Sequence, residues 1–431
     1  MSYRSEIYTW CDEILVPIFS QYSALPTYLH NRCNNNYVVL RLGTSIFTAD
    51  SQNRDVNHVC RGTARKIGIT RDLICNESTT LTSNRHITRG PHRPTSKMLA
   101  SLHLLYDSLI SCLAIFIGSL LPRIRVDPVD LTGKVAIVTG ANSGIGYALA
   151  LALAKQNATV YLACRNTSKA QKAANEIIDA CGNSGSVHVV SLDTSSLASV
   201  RSFAATWGSR PIDILAHNAG ISGPSDDQHT TSEGLGVIYA TNFAGSFLLT
   251  SLLEPHLSPT ARVVFTSSTG QYAASPRQIF TLPRLAPDTS PTAKKLTDSQ
   301  FYADTKFMQV AFAALLQRRF DKSSTRRTAH AFSPGYTYTP IFDKIPGLPW
   351  YVDPGFWVLK ACTGLCIPVE QGAATGLWLA TTDDAHVVGV GKGGQYWDRC
   401  VKRSTMVDVL PKGMLERMWQ LWELDTGAKW E

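Results

Sequence analysis

The stretch Lys134–Gly146, KVAIVTGANSGIG, constrains the fold of this chain more than any other. Val135, Ala136, Ile137 and Val138 make a short apolar run that ends at Thr139 and Gly140, and small residues then lead into an apolar, helix-compatible segment, Tyr147 to Lys155. The pattern predicts strand, glycine turn, helix. Gly140, Gly144 and Gly146 lack a Cβ, so the backbone can turn tightly, admit a pyrophosphate and pack the helix closely on the strand. The helix N-terminus adds free N–H groups and the positive end of a dipole. The turn, with Ser143 and Ile145 inside it, is expected to hold a dinucleotide.

Further apolar runs alternate with helix-like segments: Thr159–Ala163, Val187–Leu192, Ile212–Ala216, Arg262–Thr266 and Thr328–Phe332. With Val135–Thr139 these make six strands separated by helical lengths, which implies right-handed crossovers and an α/β fold with a doubly wound parallel sheet. Gln395-Tyr396-Trp397 reads as a seventh, edge strand. Ligands of such sheets bind beyond the carboxyl ends of the strands. The residues that stand there are Asp193, Asn218-Ala219-Gly220, Asn242, Ser268, and Tyr302 four residues before Lys306.

In that order these residues resemble the short-chain dehydrogenase/reductase family, whose patterns are TGxxxGxG, NAG, a mid-chain Asn, a Ser and YxxxK. The likeness runs from about Asp127 to the C-terminus as a single Rossmann-fold catalytic domain, and is strongest toward the retinol and hydroxysteroid dehydrogenase branch and its fungal relatives. The resemblance implies that Asp193 hydrogen-bonds the adenine and that Asn218, Ala219 and Gly220 line the adenine ribose by backbone contact. It implies that Tyr302 is the acid/base, that Lys306 holds the nicotinamide ribose, and that Asn242 holds a water in the proton relay to Lys306. It also implies transfer of the pro-S hydride. Pro334-Gly335-Tyr336-Thr337-Tyr338-Thr339 resembles the family's PGxVxT loop, with Thr337 or Thr339 placed to bond the carboxamide. His217 stands where Asn is commoner, and Ser333 where the retinol branch has His.

The residue chemistry agrees with these roles. Tyr302 and Lys306 fall on one helix face. A tyrosine is a weak acid-base catalyst at neutral pH, and a fixed ammonium nearby is expected to bring its pKa down. Ser268, or its neighbour Ser267, ends a strand where its hydroxyl can polarise a carbonyl, and the family pattern selects Ser268. Arg165 closes the second strand 19 residues after Gly146, where an NAD-selecting enzyme usually carries a carboxylate. The expected cofactor is therefore NADP(H), with Arg165 pairing the 2′-phosphate, helped by Ser143 or Lys169.

The front of the chain is different. Residues 1–97 hold 12 Lys/Arg against 7 Asp/Glu, which accounts for +5 of the net charge of +8 and leaves the rest nearly balanced, so no nucleic-acid partner is expected. This part lacks sustained periodicity, is polar from Asp50 to Lys97, and reads as a poorly ordered extension, dispensable or a gene-model artefact, because Met98 would make a normal N-terminus. Met98–Pro122 is the membrane-anchor candidate. Asp107 leaves only the 15 residues Ser108–Pro122 free of charge, short of the about 20 that span a ~30 Å core. A spanning anchor, a half-inserted helix and a helix packed on the domain are the readings left open. Arg123 and Arg125 would keep the catalytic domain at the cytoplasmic face, at the endoplasmic reticulum or a lipid droplet. The ten cysteines form no zinc-spaced cluster, so no metal is expected. Asn76, Asn157 and Asn166 each begin an N-x-Ser/Thr triplet; the last two fall inside the dinucleotide fold and are read as unused, and the triplets do not argue for secretion.

The 33 residues between Ser268 and Tyr302 contain Pro276, Pro283, Pro287 and Pro291 and read as a cap over the site or a surface insertion. Residues 341–368 are aromatic and apolar and read as the substrate lid, pointing to a bulky lipophilic substrate or to membrane contact. A Met414–Leu424 helix with Trp419 and Trp422 is expected to pack on the core or at a homodimer interface. The expected function is hydride transfer between NADP(H) and a carbonyl or secondary alcohol of a steroid, retinoid, long-chain or polyketide/terpenoid substrate. The alternatives are a non-catalytic cofactor-binding regulator or lipid-droplet structural protein, and an epimerase or dehydratase of the same fold.

Overall fold

A computed structural model describes residues 37–42, 45–50, 96–182, 186–224, 229–276, 279, 291–323, 325–337, 339, 364 and 366–430, with backbone alone for 37–42, 45–50, 96, 116 and 291–297. Contacts divide the chain into two units, Met1–Arg93 and Pro94–Glu431. The first contains an antiparallel hairpin, β1 (Tyr37–Leu42) and β2 (Ser45–Asp50), with Tyr37 opposite Asp50 and Leu42 opposite Ser45. YVVLRL and SIFTAD are rich in the β-branched and aromatic residues that favour strands.

In the second unit, helix α1 (Ser96–Ile117) and a short 3-10 turn lead to β3 (Val135–Thr139) and α2 (Gly144–Ala154). Then follow β4 (Thr159–Cys164), α3 (Thr167–Cys181), β5 (Val187–Ser191), α4 (Leu197–Trp207) and β6 (Ile212–His217). The second half comprises α5 (Val237–Tyr239), a π turn at Ala240–Ala244, α6 (Gly245–Leu253), β7 (Leu257–Thr266), α7 (Pro291–Phe320) and β8 (Thr328–Ser333). Helix α8 (Val369–Thr381), β9 (Tyr396–Asp398), β10 (Val401–Arg403) and α9 (Met414–Thr426) complete it. The sheet order is β10-β9-β8-β7-β6-β3-β4-β5, parallel throughout except for the β9–β10 pair. The strand order reverses beside β3, which sets the glycine turn at the crevice where ligands of such sheets bind.

Two expectations shift. Tyr396-Trp397 lies in a strand paired with β8, but β10 is the edge. Pro291 opens α7 instead of interrupting a loop, a position where its fixed φ and missing N–H cost nothing. The rest of the proline-rich stretch, at 280–290, and most of the expected lid, at 341–363, lie outside the described residues.

Both sheet faces are covered, which is why the strands read as apolar runs instead of alternating ones. Ala136 and Val138 of β3 join Leu149, Leu162, Ala373 and Trp397 in one core, while Ile137 joins Leu215, Phe265, Phe312 and Trp422 in the other. Helix α9 therefore packs on the domain. The Trp422 ring lies 4.5 Å from that of Phe243, 5.7 Å from Phe247 and 6.3 Å from Phe312, centroid to centroid. Trp422→Ala is expected to cost about 3–5 kcal/mol, seen as a lower urea midpoint at unchanged slope; a change within error would place α9 outside the cooperative core.

Candidate active site

The glycine turn closes on itself through neighbouring strands. Gly140, at φ +65°, donates its N–H to Ala163 O at 2.9 Å, and a Cβ there would stand 2.9 Å from Ala219 Cα. At Gly146 a Cβ would meet Asn218 Nδ2 at 2.3 Å and Gly140 O at 2.6 Å, so the first turn of α2 seats against β3 only with glycine there. Ser143 is exposed at the N-cap, and Gly144 and Ile145 open the helix.

Asn218 acts on this turn. Its Nδ2 donates to Thr139 O at 3.1 Å and Gly140 O at 3.3 Å, and the Asn218 and Ala219 N–H groups both donate to Thr139 Oγ1, at 2.9 and 3.0 Å. The asparagine side chain thus braces the glycine turn and leaves its backbone edge, with Gly220, to face the crevice. Arg165 is exposed two residues past the Ala163 carbonyl that holds Gly140. Asn166 caps α3 by accepting from Lys169 N at 2.8 Å, and the Lys169 side chain is exposed, as Arg165 is. Asp193, half-buried after β5, accepts from Ser195 N at 2.9 Å and Ser195 Oγ at 2.6 Å through one carboxylate oxygen.

Helix α7 carries Tyr302 and Lys306. Ser268 lies beside Tyr302, a Cβ on Gly270 standing 3.5 Å from both Ser268 Oγ and Tyr302 Cε1, and its Oγ accepts from Gly270 N at 3.1 Å, which fixes the rotamer. Ser267 is engaged elsewhere: its hydroxyl is buried and donates to Lys306 O at 2.7 Å, so of the two serines Ser268 is the one at the tyrosine. Lys306 is 3 % exposed and donates from Nζ to Thr266 O at 2.8 Å. It lies 5.4 Å from the Tyr302 ring centroid. A Cβ on Gly220 would stand 3.5 Å from Lys306 Nζ and 3.3 Å from Asn242 Oδ1, so the NAG segment, the lysine and the asparagine converge on one point.

Burial dominates the electrostatics of the pair. Burial raises the Tyr302 phenol above the ordinary tyrosine range, with the Ser268 hydrogen bond opposing it, and burial pulls Lys306 down to about 7. Lys306 Nζ points at Thr266 O and is itself desolvated.

Asn242 sits in the π turn, fully buried. Its Oδ1 accepts from Ile221 N at 2.8 Å, and its Nδ2 donates to Ile221 O at 2.9 Å and to Thr305 Oγ1 at 3.1 Å. Such single-turn bulges often accompany functional sites. Here the widened turn aims the Asn242 carbonyl at Gln309, whose Nε2 donates to it at 2.8 Å and whose Oε1 faces Lys306 Nζ at 3.4 Å. Gln309 is the site residue that sequence reasoning missed; its only signal is a position three residues after Lys306 on the same helix face. A second unread group is Asp304, between Tyr302 and Lys306. It accepts from Ser275 N at 2.7 Å and Gln300 Nε2 at 2.8 Å, is pushed by burial to about 7, and ties the segment after Ser268 to α7.

In the loop after β8, Gly335 takes φ +67°, and Thr337 donates to Pro334 O at 2.8 Å while packing against Gly372 of α8. Thr337 and Thr339 are both buried. The Thr337 hydroxyl is thus committed to its own loop, and Tyr338 lies outside the described residues.

A doubly wound sheet with a glycine turn at its switch point and a Tyr–Lys pair above it defines a class, the nicotinamide-dependent oxidoreductases. Residues 134–279 match the family model for short chain dehydrogenase. The chain is 35 % identical over 298 residues to dehydrogenase/reductase SDR family member 13 of Homo sapiens, covering 68 % of this chain and 72 % of that protein. It is 28 % identical over 330 residues to retinol dehydrogenase 14 of Homo sapiens, covering 72 % and 92 %. The crystal structure of an uncharacterised protein from Mycobacterium paratuberculosis matches with a TM-score of 0.53 at 27 % identity, over 71 % of this chain and 97 % of that one. The chain belongs to the short-chain dehydrogenase/reductase family, in its retinol dehydrogenase-like branch.

Proposed function

We propose that the chain transfers hydride between NADP(H) and the carbonyl or secondary alcohol of a lipophilic substrate, a steroid, retinoid, long-chain or polyketide/terpenoid compound. The observation that carries this reading is that Ser268 and Tyr302 meet at Gly270 while Lys306 stands 5.4 Å from the Tyr302 ring centroid and beside Gly220. The residues fit the cofactor: Gly140 and Gly146 form a cradle that a Cβ would fill, the helix α2 N-terminus faces it, and Arg165 and Lys169 stand exposed where a 2′-phosphate needs cations. Asp193 has one carboxylate oxygen committed to Ser195 and the other to offer an adenine. Pro334, Gly335, Thr337 and Thr339 would flank the nicotinamide end.

When bound, the cofactor supplies or accepts the hydride. In the reductive direction Ser268 donates a hydrogen bond to the substrate oxygen, Tyr302 gives up its phenolic proton there, and Lys306, held by Thr266 O, restores it. Asn242 positions α7 through Thr305 and reaches Lys306 through Gln309. A retinol dehydrogenase among the relatives supports a lipophilic alcohol or carbonyl. The apolar α1, followed by Arg123 and Arg125, supports a membrane-associated enzyme facing the cytoplasm, at the endoplasmic reticulum or a lipid droplet.

The test is the absorbance of reduced nicotinamide with full-length protein and a panel of lipophilic ketones. Turnover should favour NADPH over NADH, and Arg165→Asp should reverse that order by removing the phosphate partner and supplying an acceptor for the ribose hydroxyls. An unchanged preference in Arg165→Asp would overturn the assignment of Arg165.

A further inference from the structure

Helix α1 is built the wrong way round for a helix in water. Its outward side carries Met98, Leu99, Leu102, Tyr106, Leu109 and Leu113, all exposed. The side turned to the domain carries Leu104 together with Asp107, Ser108 and Ser111, the two serines buried. Asp107 pairs with Arg403 at 3.2 Å and accepts from Ser404 N at 2.8 Å, with both charged side chains about 15 % exposed or less. Beyond the helix C-terminus the contact with the domain continues: Ile124 N donates to Gln371 Oε1 at 2.7 Å, and Gln371 Nε2 returns a bond to Ile124 O at 3.1 Å. Ala114, Ile115 and Gly118 border a void shared with Pro334, Gly335 and Tyr336.

Among the described residues α1 is the one helix long and apolar enough to cross a membrane. It cannot cross one as it stands. Crossing would pull Asp107 off Arg403 into hydrocarbon and leave Arg403 without its partner. We propose that α1 lies flat on an anionic bilayer surface, its apolar side in the acyl boundary and its polar side riveted to the catalytic unit through Asp107 and Arg403. This rests on the reading that the enzyme is membrane-associated. The helix, roughly 33 Å long at 1.5 Å per residue, presents an uninterrupted apolar stripe because its sole charged residue between Lys97 and Arg123 is turned inward. Its ends are cationic, Lys97 at one and Arg123 and Arg125 at the other. Those ends suit acidic headgroups. A second copy laid along the same stripe, parallel or antiparallel, would set cation against cation at both ends, which disfavours a dimer as the occupant.

Two measurements test this. Full-length protein should float with phosphatidylcholine vesicles containing phosphatidylserine and much less with phosphatidylcholine alone, and Leu102→Glu with Leu109→Glu and Leu113→Glu should abolish flotation while the melting temperature stays within a few degrees. Topology is read from the protein's own acceptor triplets during translation with microsomes. A spanning helix delivers either Asn76 or the exposed Asn157 and Asn166 to the lumen, whereas a flat one leaves membrane-bound protein unglycosylated. Flotation with a glycan at any of the three would overturn the flat arrangement and leave membrane association standing. No flotation of the wild type would overturn both, and glutamate-sensitive dimerisation without vesicle binding would assign the stripe to a second copy.

Discussion

Tyr302→Phe should lower kcat for carbonyl reduction by about a thousandfold, close to 4 kcal/mol in the barrier, while NADPH binding, followed by fluorescence, changes less than threefold. The ring is retained and only the hydroxyl that meets Ser268 is lost, so folding should be unaffected. The same assignment fixes a pH dependence. Burial holds Lys306 near 7, so the ammonium that restores the Tyr302 proton is present below that pH and lost above it. Reductive kcat/KM, which reports the free enzyme, should fall as pH rises through about 7. A flat profile from pH 6 to 9, or a phenylalanine variant that turns over normally, would remove Tyr302 and Lys306 from the chemistry.

The second large effect is structural. Gly245 opens α6 against the backbone that follows β5, and a Cβ there would stand 2.1 Å from Thr194 O and 2.9 Å from Thr194 C. No side-chain rotation relieves that clash, so Gly245→Ala should cost about 3 kcal/mol or more and displace the neighbouring Asp193. Gly182→Ala is the control. It sits at φ +58° past the end of α3 with nothing within 4 Å of the added methyl. It should cost only about 1 kcal/mol, from the left-handed backbone alone. Equal losses in urea unfolding would mean that helix and strand can separate at Thr194 without penalty.

What was legible in the sequence depended on how local its cause was. The six apolar runs became the parallel strands β3 to β8, all but the edge strand β5 largely buried, and the glycine turn was readable because Gly140 and Gly146 answer to a neighbouring backbone. The four residues read as catalytic converge, yet the reason for their arrangement was not visible. Asn242 owes its position to a π turn, which has no residue signature, and Gln309 resembles any polar residue on a long helix until its two bonds are seen. Ser267 and Ser268 both meet α7 and are distinguished only by what they meet there, the Lys306 carbonyl for Ser267 and the Tyr302 side chain for Ser268. Strand β10, three residues with an exposed Val-Lys pair, offers no apolar run, so the edge was misplaced. Asp107 looked like a flaw in an anchor because its partner lies 296 positions away.

That separation also has a meaning in time. At synthesis rates of about 5–20 residues per second, α1 leaves the ribosome roughly 15–60 s before Arg403 exists to receive Asp107. During that interval the helix has neither its polar berth nor its final orientation, and its leucines are open to whatever binds nascent apolar segments. The order of synthesis therefore leaves α1 exposed early and closes its polar berth late, with β10 as the piece that locks the helix down.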